Sequence, residues 1–189
     1  MAVSDIDKII SEVAGTNSGA KEKKQGETVQ IVVFELDREE YAVEINELRE
    51  IIRVPIITPI PNSPDFIRGI LNLRGKIVVV VDLEKRFSLV RENKIDAGHI
   101  VITEVNGNSY GVVVDKVREV LRIPRETIQP TPSLVTSKIR TDFLEGVVVL
   151  AGKAAHESRL IILLNLSKLL QEKELMSLGE TIKKTTSVT

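Results

Sequence analysis

Hydrophobic positions along this chain alternate, pause and then run together, and the whole cycle occurs twice. Ile31 and Val33, then Tyr41, Val43 and Ile45, recur at every second position on either side of a polar turn at residues 37–40. That period predicts a β-hairpin with one buried face. A short helical stretch is expected next, over residues 47–52, and Pro55 ends it. Pro55, Pro59, Pro61 and Pro64 hold the following chain extended and outside any central strand. After a glycine-punctuated turn comes an uninterrupted apolar run over residues 77–81, which predicts a strand buried on both faces.

The second cycle repeats the first. Laid over itself at an offset of 69, the chain pairs residues 30–61 with 99–130 without a gap, and 11 of the 32 positions are identical. Ordinary residue usage would give roughly two. The identities are Ile31/Ile100, Val32/Val101, Glu35/Glu104, Tyr41/Tyr110, Val43/Val112, Arg49/Arg118, Glu50/Glu119, Arg53/Arg122, Pro55/Pro124, Thr58/Thr127 and Pro61/Pro130. At an offset of 77, Asp65, Phe66, Gly69 and Gly75 find Asp142, Phe143, Gly146 and Gly152. After an insertion at residues 153–158, the run at 77–83 matches 160–166, with Asp82 opposite Asn165. The second hairpin turns at Asn106 and Gly107, a pair suited to the positive φ of a type I′ turn. Its helical stretch is expected at residues 116–121, before Pro124.

Two copies of about 65 residues would each be marginal alone, so they are expected to share an interface. Closing the short strands into barrels removes exposed edges. Whether a strand or the terminal helix of one copy completes the other's barrel is open at this level. Repeat one is assigned to about residues 28–90 and repeat two to about 98–178. Residues 1–27 form a flexible lead, in which Ser4 and Asp7 can cap a short helix with Ile6, Ile9, Ile10 and Val13 on one face. Leu169, Leu170, Leu175 and Met176 predict a C-terminal helix packed on a barrel, and residues 179–189 a disordered tail.

Charge and composition narrow the function. The 26 basic and 27 acidic residues leave a net charge of -1, which provides no electrostatic pull towards nucleic acid or an anionic membrane. Aromatic residues are 3%, with no Trp, too few for the stacking platforms of a single-strand binder. The absence of Cys rules out disulfides, thiolate zinc sites and a cysteine nucleophile, and fits a reducing cytoplasm. No apolar run approaches the roughly 20 residues of a membrane span. The two histidines, His99 and His156, lack the spacing for a metal site and are read as incidental. Asp82 and Asp115 close apolar strands, where capping a turn or helix is the ordinary role of an aspartate. No phosphate-binding glycine motif is present. No catalytic residue, metal or cofactor is assigned, and interaction with other proteins gains weight. The competing reading is a small ligand-binding or enzymatic β-barrel, which would need a concave polar pocket with perturbed acids.

The segments EEYAVEINELREIIR, FIRGILNLRGKIVVVVDLEKRF and GVVVDKVREVL resemble the CheW family of chemotaxis coupling proteins, in order, over about residues 28–178. The most specific part is residues 72–83, an Asn-Leu-Arg-Gly run leading into a buried strand that ends in Asp82. The resemblance implies a mainly β fold of two SH3-like five-stranded barrels with short helices. It implies a non-catalytic adaptor, cytoplasmic and recruited to membrane-associated receptor arrays. Its partners would be the hairpin tip of a chemoreceptor and the regulatory domain of a CheA-type histidine kinase. A receptor and kinase pair that governs surface motility or gene expression would be served in the same way.

Carried over by position, Leu48 and Glu50, with Val117 and Val120, would line a groove for the receptor tip. Gln129 and Leu134 fall in a region that can face a kinase barrel. Gly69 and Arg74 match sensitive positions, and for Arg74 a structural role is expected, donating to carbonyls of neighbouring loops. Val79 stands where many relatives have proline, and the insertion at 153–158 lengthens a turn.

Overall fold

Three tight turns set the frame, each with two consecutive residues at positive φ. Asp37 and Arg38 (46° and 67°) join β1 (Thr28–Leu36) to β2 (Glu39–Glu44). Arg74 and Gly75 (52° and 84°) join β4 (Ile67–Leu73) to β5 (Lys76–Asp82). Asn106 and Gly107 (51° and 72°) join β6 (His99–Val105) to β7 (Asn108–Val114). This left-handed pair matches the twist of the flanking strands and fixes their register. Leu36 lies opposite Glu39, Leu73 opposite Lys76 and Val105 opposite Asn108.

The computed structural model describes residues 26–89, 98–136, 139–151, 158–171 and Leu175. The remaining strands are β3 (Leu48–Arg53), β8 (Lys116–Pro124), β9 (Leu144–Leu150) and β10 (Arg159–Leu164). Short helices are α1 (Leu83–Arg86), α2 (Ser133–Thr136) and α3 (Leu166–Leu170). The sequence expectations for the N-terminal lead up to residue 25, His156, Met176 and the tail after 178 lie outside the described residues, as does the insertion apart from Ser158.

Helix was expected at 47–52 and 116–121, and both are strands. A single 3-10 turn at Ile45–Glu47 precedes β3, and β8 starts at Lys116 itself. Burial along each alternates half-buried with exposed, the signature of period 2. Leu48, Ile51 and Ile52, like Val117, Val120 and Leu121, carry helical spacing in sequence. The neighbouring hairpin overrides it with a ladder of backbone hydrogen bonds, and β-branched side chains suit that setting.

Two five-stranded sheets result, ordered β8-β1-β2-β10-β9 and β3-β6-β7-β5-β4. Each exchanges a hairpin between the sequence copies. The first takes β1 and β2 from copy one and β8, β9 and β10 from copy two. The second takes β3, β4 and β5 from copy one and β6 and β7 from copy two. Both join the foreign hairpin through a parallel pair, β2 with β10 and β5 with β7. Among the described residues, the compact units follow these sheets: those up to Ile45 with those of 118–165 form one, and those of 46–117 with those from Leu166 onward form the other. Each sheet closes where the chain after its first-named strand bridges the last, Gln129 to Val147 and Thr58 to Ile70. The result is two five-stranded barrels.

The first barrel's core holds Ile31, Val33, Ala42, Ile123, Val148, Ile161 and Leu163. The second holds Leu71, Val78, Val80, Ile100, Ile102 and Val113. As their unbroken apolar runs predicted, β5 and β10 are buried along most of their length. Val79, on β5, is buried and pairs with Ile70 and Tyr110. Helix α3 belongs to the second barrel, where its Ser167 amide and hydroxyl donate to the Glu47 carboxylate, both at 3.3 Å.

Candidate partner-binding surface

β3 and β8 end their respective sheets, so their outer flanks are the natural places for another chain to approach. On β3, Leu48, Glu50 and Ile52 are half-buried, while Arg49, Ile51 and Arg53 are exposed. On β8, Val117, Glu119 and Leu121 are half-buried, while Arg118, Val120 and Arg122 are exposed. Leu48 and Glu50 therefore share a burial state on one strand. Val117 and Val120 do not share a face, because three positions along a strand bring opposite sides into view. Ile51 and Val120 are the aliphatic residues turned outward, at 38% and 52% exposure. The helical reading concealed Ile51; correct assignment of the strand would have found it.

Two charged identities of the duplication, Glu35/Glu104 and Arg49/Arg118, form matching ion pairs. Arg118 pairs with Glu35 in the first barrel, and Arg49 pairs with Glu104 at 3.7 Å in the second. Each pair joins the two sequence copies, as the hairpin exchange requires. Glu119 accepts from Arg159 Nη1 at 2.7 Å, and Arg159 also clasps both oxygens of Glu40 at 2.8 and 2.9 Å. The hydrogen bonds to Glu40 outweigh partial burial and raise the Arg159 pKa, so the guanidinium stays charged. In the second barrel Glu50 accepts from Arg74 Nη2 at 2.9 Å.

Arg74 thus reaches a carboxylate, not the loop carbonyls expected from sequence. Its side chain is 80% exposed, and a pair of that kind contributes at most about 1 kcal/mol. What fixes the Asn-Leu-Arg-Gly turn is backbone: Arg74 and Gly75 adopt positive φ, and Asn72 Oδ1 accepts from the Gly75 amide at 2.8 Å. Gly69 is structural in a sharper sense. Its φ is 143°, and a methyl group there would collide with the Thr58 carbonyl that bridges to β4. Gly146 repeats the arrangement, its missing Cβ falling 2.6 Å from the Gln129 carbonyl.

Gln129 closes the first barrel, donating to the Val147 carbonyl at 2.8 Å and accepting from its amide at 2.9 Å. Leu134 lies on α2. Asp82 caps α1, accepting from the Lys85 amide at 3.1 Å, as its place at the strand end predicted. His99 opens β6 half-buried. Tyr41 is fully buried, and its hydroxyl donates to Glu39 at 2.8 Å. Burial, then the Glu39 charge, pushes the Tyr41 phenol well above its ordinary range. A hollow on the first barrel is lined by Arg38, Glu39, Glu40, Ser158, Arg159, Leu160 and Ile162. Its principal acids already serve Tyr41 and Arg159. Among the described residues there is no cluster of three or more metal-ligating side chains, and no helix long and apolar enough to cross a membrane.

A family model described as a CheW-like domain matches residues 30–174. The chain is 34% identical over 164 residues to the chemotaxis protein CheW of Klebsiella aerogenes, covering 86% of this chain and 94% of the relative. Against the chemotaxis protein CheW of Treponema pallidum it is 32% identical over 158 residues, 81% of this chain and 88% of the relative. The crystal structure of the scaffolding protein TtCheW from Thermoanaerobacter tengcongensis superposes with a TM-score of 0.68 at 35% identity, covering 82% of this chain and 96% of that one. Sequence, strand order and the duplicated barrel lead to one assignment: this chain belongs to the CheW family of chemotaxis proteins.

Proposed function

We propose that this chain is a non-catalytic adaptor that binds the cytoplasmic hairpin tip of a chemoreceptor and the regulatory domain of a CheA-type kinase, holding both in membrane-associated arrays. The observation that carries the reading is the family match across residues 30–174, joined to likeness along 96% of a scaffolding protein of the same family. The outer strands β3 and β8, with exposed aliphatic and basic side chains, supply surface suited to protein partners. Leu48, Glu50, Val117 and Val120 are the residues proposed to meet the receptor. Gln129 and Leu134 mark the region proposed to face the kinase.

Calorimetric titration against the kinase regulatory domain and a soluble receptor cytoplasmic fragment from the same genome tests this. Binding of both in the micromolar range, on the order of 8 kcal/mol, is expected without turnover of either partner. Leu48→Asp, which sets a charge on a half-buried aliphatic position of β3, should weaken receptor binding at least about tenfold while the melting transition is retained. If the folded wild type binds neither partner, the adaptor role is wrong. If Leu48→Asp unfolds, Leu48 belongs to the core and not to the receptor surface.

A further inference from the structure

The exposed row of β8 in the first barrel is basic around one aliphatic side chain: Arg118, Val120 and Arg122 all face solvent, and Val120 is 52% exposed. The chain enters this barrel beside that row. The Glu27 carbonyl accepts from the Arg125 amide at 2.8 Å, and the Glu27 carboxylate lies 3.7 Å from Arg125 Nε, one residue past the end of β8. The segment before Glu27 carries a face of matching character. At helical spacing Ile6, Ile9, Ile10 and Val13 share one side, Asp5, Asp7 and Glu12 flank it, and Lys8 falls opposite. Residues 14–25, extended, span at most about 40 Å, more than the roughly 30 Å length of a strand such as β8.

We infer that residues 4–13 of this chain dock as an amphipathic helix on the exposed row of β8, with the isoleucines over Val120 and the acids beside Arg118 and Arg122. The point of attachment selects β8. Charge complementarity selects the occupant, since residues 4–13 hold three acids and one base and meet a row with two arginines. A short tether gives the segment an effective concentration on the order of 1 mM. A contact too weak to hold two separate chains together is therefore populated within one. Covering Val120 sets the segment in competition with the receptor, and only this consequence rests on the adaptor reading.

The chain has no Cys, so Ser11→Cys gives the full-length protein a single attachment point for a nitroxide. Within the first barrel, amide resonances of residues 118–122 should lose the most intensity to the label, and those of β10, three strands away in the sheet, the least. Adding Ile9→Asp and Ile10→Asp should restore the 118–122 intensities, and raising the salt should restore them in part. Intensities at 118–122 that the label leaves unchanged would overturn the docking. So would losses there in nitrogen-15 protein mixed with labelled, unenriched protein, because they would assign the segment to a second copy. For the consequence, Ile9→Asp with Ile10→Asp should bind the receptor fragment at least about threefold more tightly than wild type. Equal affinities would overturn the competition. A wild type that does not bind the receptor fragment removes the receptor half of the adaptor reading, while the label still decides the docking.

Discussion

Gly69 is the residue at which backbone geometry leaves least choice. Its φ of 143° disfavours any L side chain, and the Thr58 carbonyl occupies the place a Cβ would take. That carbonyl accepts from the Ile70 amide at 2.8 Å, a bond that closes the second barrel. Gly69→Ala should therefore destabilise the protein by about 2–4 kcal/mol, seen as a lower denaturation midpoint. A variant with unchanged melting would mean that Thr58 moves aside without loss. Sensitivity of a partner interaction to this position would then be indirect, through the barrel. Arg74 differs in kind, since its turn is set by the backbone and by Asn72, leaving the guanidinium exposed beside Glu50. The sequence expectation of loop carbonyls as acceptors for Arg74 missed Glu50, because an acceptor 24 positions away becomes a neighbour only when β3 and β4 enter one barrel.

At the scale of elements, the first hairpin of each copy and the buried strands β5 and β10 were legible, whereas β4, which pairs with β5 across Arg74 and Gly75, and the segments after the first hairpins were not. Asn106 and Gly107 announce their turn, and alternation across residues 31–45 announces β1 and β2. β3 and β8 were misread as helices because Leu48, Ile51 and Ile52 satisfy a helical period over too few residues to exclude a strand. Each is stabilised by a partner strand from elsewhere in the chain, β6 for β3 and β1 for β8. Arg159 performs a comparable long-range task at the head of β10. Through Glu40 and Glu119 it joins β2 to β8, two strands separated in the sheet by β1. Removing it with Arg159→Ala leaves two carboxylates near each other without their shared cation. A loss of about 1 kcal/mol is expected for a network of this partial exposure, and it should shrink in high salt when followed by thermal unfolding. A salt-independent loss would point to packing of the side-chain stem instead.

For the whole molecule, the exchange of hairpins is the governing fact. Neither sequence copy can close a barrel alone, since each barrel draws two strands from one copy and three from the other. Cutting the chain between the copies, within residues 90–97, should give two fragments that do not form the native β-structure separately but do so when mixed. Circular dichroism and size-exclusion chromatography would follow that reconstitution. Independent folding of either fragment would mean that a copy can close on its own hairpin, contrary to the observed strand order.

The sequence by itself determined the duplication, the hairpin turns at residues 37–40 and at Asn106 and Gly107, the buried strands β5 and β10 and the family. These depend on local backbone preference, on period and on identities that a linear chain displays directly. Tertiary structure alone decided which hairpin joins which barrel, that β3 and β8 are strands, and which side chains on them face outward. Those outcomes rest on pairings between residues tens of positions apart, such as Leu48 with Thr103 and Arg118 with Glu35. Their free energy comes from hydrogen bonds and burial that exist only once distant segments have met.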